Sequence, residues 1–514
     1  MLASTFSVTT YSLSALQNLL NEHSHNGSGT CETKSHLAYL EGYLRDVGAK
    51  TILSERPYTD RDYLEDYAAY YARCHEQYGR RCARLHFFSS SFDAALIDRA
   101  IANDNKAIKV LQSSYLGFIV VKPLPSTVIG RTCLVTYSRE VSGRAYPTTR
   151  PYKVHIFGIE LEVDSLPFQE QDRDVAACAT SALWSVFNAT GHLFQHSIPS
   201  PAEITNAAAE SGRVLSRAFP AGSGLTAEQI ADAIRSVGLE PGYINAGKVD
   251  LLLISACAYL KAGIPSILLG ALVETKPGYE PKTLGLHAIA LAGFRIPSGI
   301  PVAYDSTFFR ATSTTGLYAH DDQIGPFARL SVDRAREPAV FVWKLRDDMH
   351  FQPQTLLLPL YHKIRVPIDS VISAIAALNE WIEAARTQGL VGLGKPVLWD
   401  IELTSNADFK AAVHKDSVIP EKFRLLALMD DLPRYMWRVR ATSDKRRLFD
   451  ILFDATDLLQ GGHVTGVLPY WPDICLALAS MARNPATYAH ITKSTSNRVL
   501  EMAVKWFATN ATSF

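Results

Sequence analysis

The sequence of 514 residues lacks three features that would restrict its class at once: a net charge, a long unbroken apolar run and a regular set of cysteines. Its 51 basic and 51 acidic residues balance, which argues against a nucleic-acid or membrane-surface partner held by bulk charge. The most apolar window, residues 251–273, contains Lys261 and a Gly-Ile-Pro turn. We therefore expect a buried helix and a buried strand there, and no membrane span.

Cysteine is scarce and irregularly spaced. The number of cysteines is odd, which indicates free thiols in a reducing compartment and no disulfide framework; the seven are Cys31, Cys74, Cys82, Cys133, Cys178, Cys257 and Cys475. The first twenty residues do not have the basic and then apolar pattern of a secretory signal, so a cytoplasmic location is expected. No zinc-ligand spacing and no glycine-rich phosphate loop is found, so neither a metal nor a cofactor is predicted.

The length of the chain exceeds what one ordinary core accommodates. Strand patterns follow helical patterns in both the first and the last third of the chain, which predicts an α+β fold class. We predict three domains: an α+β amino-terminal domain over 1–160, a catalytic domain over 161–345, and an α+β carboxyl-terminal domain over 346–514. In the first, residues 34–47 and 60–84 are predicted to be helical.

One short stretch carries most of the functional information. Cys178 is followed by small and apolar residues up to Trp184, and Gln171 precedes it. This pattern predicts a helix from about 175 to 188 with Cys178 in its first turn. Unpaired backbone N–H groups and the helix dipole favour the thiolate over the thiol at such a position.

A histidine, His287, follows about a hundred residues later at the start of an apolar strand that ends near Gly293. The order of a cysteine first, a histidine much later and a carboxylate beyond it is that of the papain-type cysteine enzymes, in which the partners meet in space and not in sequence. An imidazole with a pKa near 6.5 is suited to take up the thiol proton and return it to the leaving group.

With these residues in place, segment 165–330 resembles the papain-like cysteine peptidase superfamily, and most of all the branch of the bacterial double-glycine leader peptidases. The parts of the family pattern occur in order: Gln171, Cys178, a helix from Thr226, Gly263-Ile-Pro265 with a strand, His287 to Gly293-Phe294, and a strand ending at Asp321-Asp322. The resemblance implies a helix carrying the cysteine, packed on an antiparallel sheet carrying the histidine and the aspartate.

For two roles, the orientation of the imidazole and the stabilisation of the oxyanion, more than one residue remains a candidate. Asp321 is predicted to orient the imidazole, and Asp322 and Asp305 remain alternatives for this role. Gln171 is predicted to stabilise the oxyanion, but it lies seven residues before Cys178, where the family usually has six, and Gln169 is therefore its alternative.

The resemblance implies a thiol hydrolase that cleaves a peptide or isopeptide bond in a protein substrate through a thioester intermediate. The same scaffold supports acyl transfer and deamidation, and a descendant without activity would serve as an interaction or sensor module. These functions remain alternatives to the peptidase.

Overall fold

The computed structural model describes residues 5–25, 34–172, 174–175, 177–209, 224–299, 301–336, 340–342, 348–458, 464–484, 504–505 and 507. The chain divides into two compact units. Unit 1 comprises Met1–Gly247, Gly263–Arg295 and Gly316–Pro359, and unit 2 comprises Lys248–Ala262, Ile296–Thr315 and Leu360–Phe514. The domain boundary predicted at residue 160 falls inside unit 1. Cys31 lies outside the described residues.

The first part of unit 1 alternates strands and helices: β1 (Phe6–Thr10), α1 (Leu13–His23), α2 (Ser35–Asp46), β2 (Thr51–Tyr58), α3 (Arg61–Ala69), β3 (Cys82–Phe88), α4 (Ala94–Ile101), α5 (Asn105–Ser114), β4 (Tyr115–Val121), β5 (Ile129–Leu134), β6 (Arg144–Ala145), β7 (Arg150–Ile156) and β8 (Ile159–Ser165). Strands β1 to β5 form an antiparallel sheet in sequence order. Because each connection joins neighbouring strands, the sheet is a simple meander whose helices cover its faces.

The middle of the chain continues with α6 (Cys178–Phe194), α7 (Pro201–Ala209), α8 (Ala227–Ser236), β9 (Glu240–Asn245), α9 (Val249–Lys261), β10 (Ser266–Glu274), β11 (Lys282–Arg295), β12 (Ala303–Tyr304), β13 (Thr307–Phe309), β14 (Gly316–Asp321), β15 (Gly325–Asp333), β16 (Val340–Val342) and β17 (Met349–Leu360). Within unit 1, β10, β11, β14, β15, β16 and β17 pair in that order, and β17 pairs back with β10. The six strands therefore close into an antiparallel ring.

Unit 2 contains α9, β12 and β13 together with the end of the chain: α10 (Ile368–Thr387), β18 (Leu398–Ser405), α11 (Asn406–Lys415), α12 (Glu421–Met429), β19 (Tyr435–Ser443), β20 (Arg446–Asp454), β21 (Val464–Pro469) and α13 (Pro472–Arg483). Its sheet has the order β12, β13, β18, β19, β20, β21. Helices and sheets occur in both units, so the predicted α+β class is confirmed.

Helix α6 packs against β10, β11 and β14 of the ring. Its buried Leu183, Trp184 and Phe187 share a core with Ile267 of β10 and Ala290 of β11. Residues 183, 186 and 187 recur at the spacing of one helix face, which explains why this face is buried. The predicted helix is confirmed, although it begins at Cys178 and extends to Phe194.

The amino-terminal region is joined to the ring by a common core. Buried Leu37 and Tyr43 of α2 belong to the same apolar cluster as Tyr318 of β14 and Phe327 of β15. Residue Phe168 forms an isolated β-bridge with Thr132 of β5. The segment that precedes α6 is therefore attached to the edge of the amino-terminal sheet.

The helix predicted over 60–84 is wrong beyond its first part. Helix α3 ends at Ala69, a short 3₁₀ turn covers Tyr71–Arg73, and Cys82 begins β3. All seven residues of β3 are buried between β2 and β4. Pairing on both edges of a central strand outweighs the helical pattern, because local propensity is a weak determinant compared with tertiary contacts.

Other local predictions are confirmed. The apolar window forms α9 followed by β10. Thr226 caps α8 through Gln229, with the side chain of each accepting the backbone N–H of the other. Among the described residues, no helix combines the length and the apolar character that a membrane span requires.

Gly325 illustrates how closely α2 approaches the ring. Its φ is +149°, and a Cβ placed on it would lie 2.5 Å from Cδ1 of Tyr39. We expect Gly325→Ala to lower the free energy of unfolding by about 1–3 kcal/mol, because the backbone and the tyrosine ring must both move. In thermal unfolding, Gly42→Ala in α2 is the matched control, since nothing lies within 4 Å of its added methyl group. A Gly325→Ala variant as stable as wild type would contradict this account of the contact.

Candidate active site

Cys178 is the first residue of α6 and is half-buried. The preceding Ala177 has no side-chain oxygen to cap the helix, and its own N–H donates to Oγ1 of Thr180 at 3.2 Å. The first turn contains no acidic residue. The thiol therefore lies at the positive end of the helix dipole without a competing carboxylate on the same turn.

His287 is buried in β11, with 2% of its surface exposed. It lies opposite Gly270 of β10, where an added Cβ would come within 2.4 Å of the Gln352 carbonyl oxygen. The ring of Phe351 stands edge-on to the imidazole, with 6.3 Å between centroids. The glycine thus leaves room for the aromatic ring that packs against His287.

His287 and Asp321 form the central contact. Nε2 of His287 donates to Oδ1 of Asp321 at 3.0 Å, and the carboxylate also accepts the N–H of Gln323 at 2.9 Å. Because Nε2 is used in this way, Nδ1 is the nitrogen available to the thiol. A side-chain hydrogen bond with Cys178 contributes to the electrostatics of the imidazole. The structure thus brings together Cys178, His287 and Asp321.

The imidazole is held in its protonated form by this environment. Burial alone would lower the pKa of His287, but the charge and hydrogen bond of Asp321, with smaller contributions from Cys178 and Asp322, raise it well above its ordinary value.

Asp322 places a second carboxylate beside the imidazole. Its Oδ1 lies 3.8 Å from Nε2 of His287, and neither of its oxygens accepts a hydrogen bond within the described part of the chain. Burial raises the pKa of Asp322 to about 7; the charge of His287 lowers it, and that of Asp321 adds to the rise. Asp322 is thus a buried acid that is partly protonated near neutral pH.

The third carboxylate alternative, Asp305, belongs to unit 2, in the turn between β12 and β13. The hydrogen-bonded partner of His287 among the three aspartates is Asp321. Nearby His320 has a structural environment, since it donates to the Leu166 carbonyl at 2.9 Å and accepts the Phe327 N–H at 3.1 Å. Burial lowers its pKa to about 3.

The two glutamines occupy different surroundings. Gln169 is 6% exposed, lines a narrow space of about 160 Å³ together with Cys178 and Asp322, and its Nε2 has no hydrogen-bond partner among the described residues. Gln171 is half-buried and does not line this space. An unpartnered amide N–H beside the sulfur is the group that an oxyanion would require.

Two site residues were not identified from the sequence. The amide Nε2 of Gln323 lies 3.4 Å from Nδ1 of His287, and Nε2 of His36 donates to the Asp322 carbonyl at 2.6 Å. Gln323 directly follows the aspartate pair, and this proximity was the only sequence signal for it. His36 is distant in sequence, and nothing in its neighbourhood indicates a site.

One group among the described residues brings three potential metal ligands together. The ligand atoms of His287, Asp321 and Asp322 lie within 4.8 Å of one another. To bind a divalent cation there, Nε2 of His287 would have to give up the proton that it shares with Asp321. The group is able to hold a cation only at the expense of the contact that orients the imidazole.

No family model matches the sequence, and a search of curated proteins finds no significant relative. The arguments about function therefore rest on the geometry of these side chains.

The raised pKa of Asp322 predicts how stability depends on pH. In the folded state the acid keeps its proton up to about pH 7, whereas in the unfolded chain it loses it near pH 4, so its contribution is present at low pH and is lost as pH rises from 4 to 7. We expect Asp322→Asn to remove this loss.

The measurement is urea unfolding at pH 4.5 and pH 8. The wild type should lose more stability between the two values than Asp322→Asn does. Glu160→Gln serves as a control, because Glu160 is an exposed acid of the same unit whose pKa is lowered by its hydrogen bond and ion pair with Lys153. Equal pH dependence in wild type and Asp322→Asn would show that Asp322 is ionised throughout this range.

Proposed function

We propose that the chain is a papain-like thiol hydrolase that cleaves a peptide or isopeptide bond in a protein substrate. The observation that supports it is His287, which interacts with the Cys178 thiol and donates from its other nitrogen to Asp321. A nucleophile, a base in contact with it and a carboxylate that orients the base are the three parts of a catalytic triad.

In the first step, the Cys178 thiolate attacks the carbonyl carbon, a C–S bond forms, and the C–N bond breaks as the amine leaves with a proton from the His287 imidazolium. In the second step, His287 takes a proton from water, the hydroxide attacks the thioester, and the C–S bond breaks to return the thiolate. Asp321 keeps the imidazole ring in the orientation that presents Nδ1 to the sulfur.

Gln169 is the preferred donor for the oxyanion in this proposal, and Gln171 is the alternative. The amide of Gln169 is buried, its Nε2 has no hydrogen-bond partner among the described residues, and it lines the same space as Cys178, whose backbone N–H supplies the second donor. A buried hydrogen-bond donor without a partner lowers the stability of the fold. A substrate oxygen that accepts a hydrogen bond from Gln169 would explain why this donor is present.

The space beside Cys178 is too narrow to enclose a small-molecule substrate. It has no room even for a water molecule, whereas pockets that enclose small molecules measure roughly 300–1,000 Å³. A peptide substrate would therefore lie across the surface, and the space would have to widen to admit its scissile carbonyl. The free thiols among the described cysteines favour a reducing compartment such as the cytoplasm.

The principal test is the rate of alkylation of each cysteine by iodoacetamide as a function of pH, measured by mass spectrometry. We expect Cys178 in the wild type to react rapidly well below pH 8, and we expect His287→Ala to abolish this reactivity at neutral pH. Cys74, the other half-buried cysteine, is the internal control. Identical profiles for Cys178 in the two proteins would contradict the proposal.

The oxyanion role is tested by comparing two reagents. Attack on p-nitrophenyl acetate passes through an oxyanion, whereas alkylation by iodoacetamide does not. We expect Gln169→Ala to slow acylation of Cys178 by about 10²–10³ while alkylation is unchanged. Gln171→Ala is the matched control and should change neither rate. A loss of acylation in Gln171→Ala alone would reverse the assignment.

A second candidate is a non-catalytic interaction module, and the narrowness of the space beside Cys178 is the observation that favours it. Incubation with a proteome-derived peptide library separates the two. New termini that Cys178→Ala does not produce indicate a peptidase, and modified glutamines indicate a transferase or deamidase. A lack of both, with an unreactive thiol, indicates the module.

A further inference from the structure

The loop that carries Asp321 and Asp322 is held in place by a helix that lies outside the six-stranded ring. Helix α2 contacts it with three polar side chains that lie on one side of the helix. Ser35 Oγ donates to the Gln323 carbonyl at 3.1 Å, His36 Nε2 to the Asp322 carbonyl at 2.6 Å, and Tyr39 Oη to the Pro326 carbonyl at 2.6 Å. Three carbonyls of a single turn are thus fixed by one helix that is remote in sequence.

The same helix start also reaches the segment that carries Gln169. Lys34, which precedes α2, forms an ion pair with Glu170 at 2.5 Å, and the second oxygen of Glu170 accepts the Ile129 N–H at 3.2 Å. Nδ1 of His36 lies 4.0 Å from the first oxygen of Glu170. His36 therefore lies between the residue next to Gln169 and the turn next to Asp321.

These contacts are buried, so water cannot replace a hydrogen bond that is lost. His36, Glu170 and Asp322 are 7%, 7% and 5% exposed. A carbonyl that loses its donor in such a place is left without water to replace it, which costs about 1–3 kcal/mol. The turn is therefore expected to move when the donor is removed, because only movement would expose the carbonyl to solvent.

Movement of the turn would act directly on the imidazole. Asp321 and Gln323, which flank the carbonyl held by His36, both contact His287. An imidazole that loses a fixed carboxylate loses both its orientation and the charge that keeps it protonated. Position 36 can thus affect the thiol without touching it.

We propose that α2 is a positioning element of the active site and that His36 is its central positioning residue. This inference rests on the proposed function, since it concerns the same Cys178, His287 and Asp321. It assigns to the amino-terminal region the task of holding the aspartate turn and the segment of Gln169 in a fixed relation. His36 itself contacts neither the substrate nor the sulfur.

The test compares His36→Phe, which removes the donor and keeps a ring, with His36→Gln, which keeps an N–H at similar reach. His86→Phe is the matched control, because His86 is also buried in unit 1 but hydrogen-bonds Tyr115 and Glu55 instead. Each protein is examined by hydrogen exchange of residues 321–327 and by the pH profile of Cys178 alkylation.

For His36→Phe, we expect faster exchange in 321–327 and a shift of the alkylation midpoint to higher pH by about one unit, equivalent to a tenfold lower rate at pH values below the midpoint. His36→Gln should restore both to near the wild-type values. His86→Phe should leave both unchanged even when its melting temperature falls. These differences separate positioning from a general loss of stability.

Faster exchange with an unchanged alkylation profile would overturn the proposal, as would no change in either. If His36→Phe does not fold, the milder double variant Ser35→Ala with Tyr39→Phe must show the same two changes to a smaller degree. Failure of the proposed function is distinguishable, because wild-type Cys178 would then react independently of His287. In that case the exchange arm alone decides whether His36 holds the turn.

Discussion

The site depends on a hydrogen bond between two buried side chains, from Nε2 of His287 to Asp321. In water such a pair contributes little, but here both groups are removed from solvent, so the imidazole and carboxylate stabilise each other in their charged forms. The cost of removing them from water is offset only if the geometry is held closely. The surrounding structure keeps the two side chains in this geometry.

Each partner of this bond is fixed by a different part of unit 1. His287 is fixed by its ladder with β10 and by the ring of Phe351. Asp321 is the last residue of β14. The turn that follows it accepts hydrogen bonds from α2 through its carbonyl oxygens. Movement of either part would separate the pair, so a region of the chain that supplies neither partner of this bond still determines its geometry.

The sequence predicts well what depends on local pattern. Cys178 at a helix start, the capping of α8 by Thr226 and the helix and strand of residues 251–273 follow from periodicity and cap residues, and each is found. The local pattern does not predict an element whose conformation depends on pairing with strands elsewhere in the chain. Residues 82–88 form a central strand because β2 and β4 lie on both sides, and neither neighbour is visible from the residues themselves.

The same distinction between local pattern and distant contact applies to the residues of the candidate site. The order of Cys178, His287 and Asp321 was available from the sequence, because it is the order in which a nucleophile, a base and an orienting carboxylate are expected along such a chain. The contrast between Gln169 and Gln171 was not, since it depends on which of the two side chains lines the space beside Cys178. His36 was inaccessible for a stronger reason: its contact with Asp322 joins residues separated by 286 positions.

The helix that carries Cys178 is also anchored to the amino-terminal region. Trp184 Nε1 donates to Asp62 at 3.1 Å, and Arg131 pairs with the same carboxylate at 2.5 Å. Asp66 of the same helix α3 accepts the N–H of Ala202 at the start of α7. Because α3 is in the amino-terminal region, that region holds the helix of Cys178 as well as the aspartate turn. A flank that would fold separately could not do this, which accounts for the common core that joins residues before 160 to the ring.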